Sequence, residues 1–145
     1  KILYLSNNQL TNMPESMGNL TNLQYLGLSN NQLTSAPESL GRLTRLQSLE
    51  LGGNQLTIVP ESLGNIPNLQ RLYLDQIQLT SVPEWLGNMT NLQTLNLNQN
   101  QLTTLPASFA NLSQTLKYLY LSGNPISPEE KARIRVMLPN TSITF

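Results

Sequence analysis

The chain has 145 residues, a formal net charge of zero and only 11% charged side chains. That length fits one domain with a real core, while the charge balance excludes the basic face of a nucleic-acid binder and electrostatic docking on an anionic membrane. Cysteine and histidine are both absent, which excludes thiol catalysis, disulfides, Cys/His zinc sites and Ser-His-Asp nucleophiles within this chain.

No run of about 18 apolar residues occurs, so no segment reads as a membrane span. The lack of cysteine suits a reducing cytoplasm and equally a bacterial protein that is secreted or surface-exposed. Four Asn-x-Ser/Thr sequons begin at Asn19, Asn88, Asn111 and Asn140. Three of them fall at one repeated loop position, so they read as by-products of a repeat.

That repeat opens in mid-phrase with Leu3, Leu5, Asn8 and Leu10. The phrase L-x-x-L-x-L-x-x-N-x-L follows as Leu23, Leu26, Leu28, Asn31, Leu33 and as Leu46, Leu49, Leu51, Asn54, Leu56. Next come Leu69, Leu72, Leu74, Ile77, Leu79, and then Leu92, Leu95, Leu97, Asn100, Leu102. A last copy, Leu116, Leu119, Leu121, Asn124, Ile126, arrives one residue late because Gln114-Thr115 replaces a single Asn. Pro14, Pro37, Pro60, Pro83 and Pro106 mark the same 23-residue period.

Within each phrase the alternation of apolar and polar residues predicts a short half-buried strand. One coil buries about seven apolar side chains, such as Leu23, Leu26, Leu28, Leu33, Ala36, Leu40 and Leu43, and that gain is smaller than the cost of ordering 23 residues. A single coil is therefore unstable, and stability requires stacked coils whose strands pair in parallel. On the outer side, Pro14-Glu15, Pro37-Glu38, Pro60-Glu61 and Pro83-Glu84 predict the first turn of a short helix, with Glu complementing its dipole. Gly18, Gly41, Gly64 and Gly87 are expected to end that turn with positive φ.

This pattern resembles the leucine-rich repeat family over nearly the whole chain. Segments such as MPESMGNLTNLQ and VPESLGNIPNLQ look like the 23-residue type found in bacteria and in intracellular eukaryotic proteins. The resemblance implies an α/β solenoid: a curved horseshoe with a parallel β-sheet on its concave face, short helical or 3-10 turns on its convex face and a C-terminal capping helix. Residues 1–126 are the expected repeats and residues 127–145 the expected cap. In the cap, Ser127, Pro128 and Glu130 fit an N-cap, N1 and capping-box N3, with Ile134, Met137 and Leu138 on one face. Lys131, Arg133 and Arg135 fall on its polar side.

Residues between the strand leucines are expected on the concave face, in columns. One column is Ile2, Tyr25, Ser48, Arg71, Thr94, Tyr118; the next is Tyr4, Gly27, Glu50, Tyr73, Asn96, Tyr120. A third is Ser6, Ser29, Gly52, Asp75, Asn98, Ser122. All five tyrosines lie in the first two columns, and Tyr and Arg favour binding surfaces. The predicted partner-binding set is Tyr4, Tyr25, Glu50, Arg71, Tyr73, Asp75, Asn96, Tyr118 and Tyr120. Tyr also simply suits strands, and Glu50, Arg71 and Asp75 could neutralise one another. The uniform Gln9, Gln32, Gln55, Gln78 and Gln101 read as a structural ladder, and Trp85 as a ring leaning on its neighbouring coil.

The function implied by the resemblance is a non-catalytic scaffold that binds a protein partner, with no cofactor and no metal. The alternative is the substrate-recognition part of a larger ligase- or kinase-type enzyme. Catalysis by a Glu50–Asp75 pair lacks a pocket on an open sheet. Ile77 replaces an inward Asn; backbone acceptors left unpaired and the gain from burying Ile nearly cancel, so the exchange reads as drift.

Lys1-Ile2-Leu3 begins in mid-strand, and an uncovered strand edge with an apolar end is a site for pairing. Self-association through that end is expected at high concentration. Small-angle scattering over a concentration series should show a rising apparent mass, and a constant monomer mass refutes it.

Overall fold

The computed structural model describes all 145 residues. Seven three-residue strands pair in parallel and in chain order: β1 (Ile2–Tyr4), β2 (Tyr25–Gly27), β3 (Ser48–Glu50), β4 (Arg71–Tyr73), β5 (Thr94–Asn96), β6 (Tyr118–Tyr120) and β7 (Ser142–Thr144). The sheet is open, and the repeat strands align Leu with Leu: Leu26 with Leu49, Leu49 with Leu72, Leu72 with Leu95, Leu95 with Leu119. Opposite the sheet lie five 3-10 turns, Glu15–Asn19, Glu38–Arg42, Glu61–Asn65, Glu84–Asn88 and Ala107–Leu112. Between the two layers runs one continuous core of leucines, with Phe109 its largest fully buried side chain.

The outer turns begin one residue later than the Pro-Glu pairs suggest. Each Pro holds extended ψ, between 132° and 150°, and caps the turn from outside it. The glycines were also expected to act through positive φ, and they do not. Left-handed backbone occurs instead just after the strands, at Asn7, Asn30, Gly53, Gln76, Gln99 and Gly123. Gly18, Gly41 and Gly87 are glycine because the next coil lies against them: a Cβ there would overlap Ser39, Ser62 and Ser108. The fifth turn is one residue longer than the others, which absorbs the late last copy and leaves β6 in register with β5.

The inward asparagines form the expected ladder. Asn54 donates to its own Leu51 carbonyl at 2.9 Å and to Leu28 of the preceding coil at 3.0 Å, while its Oδ1 accepts the Leu33 N–H at 3.1 Å. Asn31, Asn100 and Asn124 repeat that set. At Ile77 the outcome differs from the unpaired acceptors expected from sequence. The Leu51 and Leu74 carbonyls each keep a bond, from Asn54 and Asn100. The orphan is a donor: the Leu56 N–H, at the position where Leu33 and Leu79 meet an Asn, makes no hydrogen bond.

At the C-terminus, α1 (Pro128–Met137) lays Ile134 and the following Leu138 into the core, with Met137 half-buried. The Ser127 hydroxyl accepts the Glu130 N–H at 3.2 Å, as an N-cap should. Glu130 itself does not close a capping box. Its carboxylate reaches the last full coil, accepting from the Thr104 hydroxyl at 2.8 Å and the Leu105 N–H at 3.2 Å. Arg133 pairs with Glu130 at 2.6 Å and also donates to the Leu105 carbonyl, so it locks α1 to the array instead of merely facing water. Lys131 and Arg135 flank the Phe145 ring, 5.4 and 4.8 Å from its centre, and β7 adds the last strand of the sheet.

Two outcomes follow. Ile77→Asn places an acceptor against the orphaned Leu56 N–H, worth about 1–3 kcal/mol against the lost apolar burial. Thermal unfolding should show Tm rise by roughly 2–5 °C, and a fall would refute the pairing. The Arg133 guanidinium beside Glu130 is the main cause holding that carboxyl down at about 2, from 4.5. A depressed carboxyl stabilises above its unfolded pKa, so this contribution is full above about pH 4.5 and lost as the pH falls toward 2. Arg133 is 42% exposed, so screening limits the pair to roughly 1–2 kcal/mol. Acid titration followed by Phe145 side-chain NMR should show the lid loosening in that window, and Glu130→Gln should remove the transition.

Candidate functional site: the concave sheet

Strand pairing places the variable residues as the two central columns require. Ile2, Tyr25, Ser48, Arg71, Thr94 and Tyr118 are register partners, and so are Tyr4, Gly27, Glu50, Tyr73, Asn96 and Tyr120. The third column continues the ladder just past the strands, with the Asn7, Asn30, Gly53, Gln76 and Gln99 N–H groups each donating to the next coil.

The aromatic side chains are not all equivalent. The Tyr4 and Tyr25 rings meet at 4.8 Å with planes tilted by 52°, a favourable aromatic contact. Tyr25 leans across Gly27, where a Cβ would come within 3.0 Å of the ring and its hydroxyl. A side chain at Gly27 would displace Tyr25 from this seat. Burial first, and then the facing Glu50 carboxylate, hold the Tyr25 phenol well above its ordinary pKa. Burial and Glu50 also raise Tyr73, with Arg71 opposing them. Tyr118 is half exposed, at the far end beside Tyr120.

The charged residues do not cancel as ion pairs. Glu130–Arg133 is the chain's one salt bridge. Asp75 folds over Gly52 and accepts the Asn96 amide at 3.1 Å. Glu50 faces Tyr25 and Tyr73. Arg71 is exposed on β4 with no carboxylate in salt-bridge range. The surface thus carries a free guanidinium beside half-buried Tyr73 and two carboxylates served by neutral neighbours. Its geometry can accept a carboxylate or backbone carbonyl at Arg71 and lay apolar or aromatic groups on the tyrosines.

Sequence reasoning brought these residues to one face but missed the two glycines that seat them. A Gly in a column of larger residues, directly beside Tyr25 or Asp75, was the available signal. The Gln column also differs from a uniform ladder. Gln32, Gln55 and Gln101 donate their N–H to the preceding coil, and Gln78 does not. Gln78 instead has positive φ, out of phase with the other left-handed residues.

The family described as leucine-rich repeat region matches residues 1–96, and that described as leucine rich repeat matches residues 67–126. No curated protein matches. Among solved structures, an LRR protein of Leptospira interrogans shares 43% identity with a TM-score of 0.94, over 99% of this chain and 36% of that one. An internalin (InlF) of Listeria monocytogenes shares 27% identity at a TM-score of 0.79, over 98% of this chain and 39% of that one. The plant peptide hormone receptor RGFR1 in complex with RGF2 shares 30% identity at a TM-score of 0.80, over 100% of this chain and 24% of that one. The chain thus spans between about a quarter and two fifths of the length of these structures, and no helix in it is long and apolar enough to cross a membrane.

Proposed function

This chain belongs to the leucine-rich repeat family, and from that premise we propose that it is a non-catalytic scaffold binding a protein partner on its concave sheet. The observation that carries the reading is the free Arg71 beside half-buried Tyr73. Guanidinium and phenol groups on a rigid sheet supply the contacts that dominate protein interfaces, at little cost in ordering. Around them Tyr4, Tyr25, Glu50, Asp75, Asn96, Tyr118 and Tyr120 form the remainder of the surface. RGFR1 in its complex with RGF2 is a fold relative with a bound partner, which supports a peptide or protein ligand here.

A second reading makes the same surface the substrate-recognition part of a larger enzyme of ligase or kinase type. One fold relative, the LRR ectodomain of an Arabidopsis thaliana receptor kinase in complex with Casparian strip integrity factor 2, belongs to such a larger protein. In either case the concave residues bind, and chemistry lies elsewhere. Both readings share the surface, so one experiment tests it. Affinity capture from bacterial and host lysates should retain a protein on the unaltered chain and lose it, by roughly tenfold or more, on Arg71→Ala/Tyr73→Ala. Equal retention by both would remove the concave face from consideration.

A further inference from the structure

The seam between the third and fourth coils is built differently from every other. Elsewhere the N–H of the residue two places after the ladder Asn meets the next coil's Asn, and at Leu10, Leu33 and Leu79 the carbonyl accepts a Gln N–H of that coil as well, while at Leu102 the facing residue is Pro125. The Leu33 N–H meets Asn54 and its carbonyl accepts the Gln55 N–H; Leu79 does the same with Asn100 and Gln101. At Leu56 both ties are missing. The loop that should supply them has swung toward the fifth coil, where Asn100 Oδ1 accepts both the Ile77 N–H at 3.2 Å and the Leu79 N–H at 3.0 Å.

The convex side opens at the same seam. Gly64 is exposed, and the nearest atom to a Cβ there is the Trp85 ring at 3.3 Å, where Gly18, Gly41 and Gly87 press on a serine. Trp85 stands in the place of that serine and holds the coils apart. The result is a groove of about 530 Å³ past Leu56, Ile77 and Gln78, which meets at Thr57 a second of about 430 Å³ walled by Ile58 and Trp85. Ile58 is 75% exposed, the most exposed apolar side chain of the repeats. Glu38 and Glu61 line the same groove and no Lys or Arg does.

We propose that this split seam is a second binding site, separate from the concave sheet, which takes an extended peptide segment carrying a basic side chain. The unpartnered Leu56 N–H and C=O mark where the coils part, and because Leu56 is only 2% exposed the contact with a ligand falls to the walls of the groove. Ile58 and Trp85 provide apolar contact for one side chain of such a segment, and the Glu38 and Glu61 carboxylates select a cation on another. Ile77 in place of the ladder Asn removes the ties to Leu56 at this seam.

Trp85 is the chain's only tryptophan, so its fluorescence reports on this groove and not on the concave tyrosines. The probe is an acetylated and amidated hexapeptide alternating leucine with arginine, beside the same peptide with glutamate for arginine. We expect a saturable shift of Trp85 emission with the arginine peptide, and binding at least about tenfold weaker with the glutamate one. Ile77→Asn, which closes the seam, and Glu61→Lys, on an exposed side chain, should each weaken it by roughly tenfold. Arg71→Ala/Tyr73→Ala should bind as the unaltered chain does, which separates this site from the concave one. A response that survives Ile77→Asn, fails to saturate, ignores peptide charge or vanishes in the concave variant overturns the proposal. So does a shift on concentrating the protein alone, since a second copy would then be the occupant. Should Ile77→Asn not fold, the Glu61→Lys result decides.

Discussion

No coil of this molecule satisfies its own backbone. The ladder asparagine states the constraint most directly: Asn54 bridges the Leu28 carbonyl, the Leu33 N–H and its own Leu51 carbonyl, three groups on two coils. Asn31, Asn54 and Asn100 are buried where water cannot replace them, so their bonds are costly to lose. Coil spacing, loop shape and strand register all follow from that bridge. The leucines supply the driving force, but the amides fix how far apart and in what phase the coils stand.

With spacing fixed in this way, the concave face becomes a regular lattice on which side chains can vary independently. Two glycines adjust it locally: Gly27 lets the Tyr25 ring reach across to Tyr4, and Gly52 lets Asp75 reach Asn96. The same lattice explains why the charges remain separate. Arg71 and Glu50 sit on different strands and in different columns, and each carboxylate has a neutral neighbour closer to hand.

Much of this was legible in the sequence because the repeat makes each position visible several times. The parallel register, the three columns, the Asn ladder and the Ile134–Leu138 face of the last helix could all be read from spacing. What escaped were features that depend on contacts between coils. The glycines at 18, 41 and 87 suggest special φ to a reader of one coil, whereas the pressure comes from a serine in the next. Glu130 looks like half of a local capping box, yet Thr104 and Leu105 lie nearer than its own helix start. At Ile77 the missing amide leaves a donor unpaired on Leu56, a residue 21 positions earlier, and no local pattern reveals which way the loop then moves.

The lengthened fifth turn carries a broader consequence. An added residue on the convex side is taken up as one more step of 3-10 turn, and the strand that follows, Tyr118–Tyr120, still meets Thr94–Asn96 without slippage. Insertions and deletions are therefore quarantined on one surface while the opposite surface keeps its addresses. A lineage of such chains can gain or lose length behind the sheet, or duplicate a whole coil, without scrambling the rows in front of it. Changes of length gather on one side of the molecule, and the ordered rows keep the other.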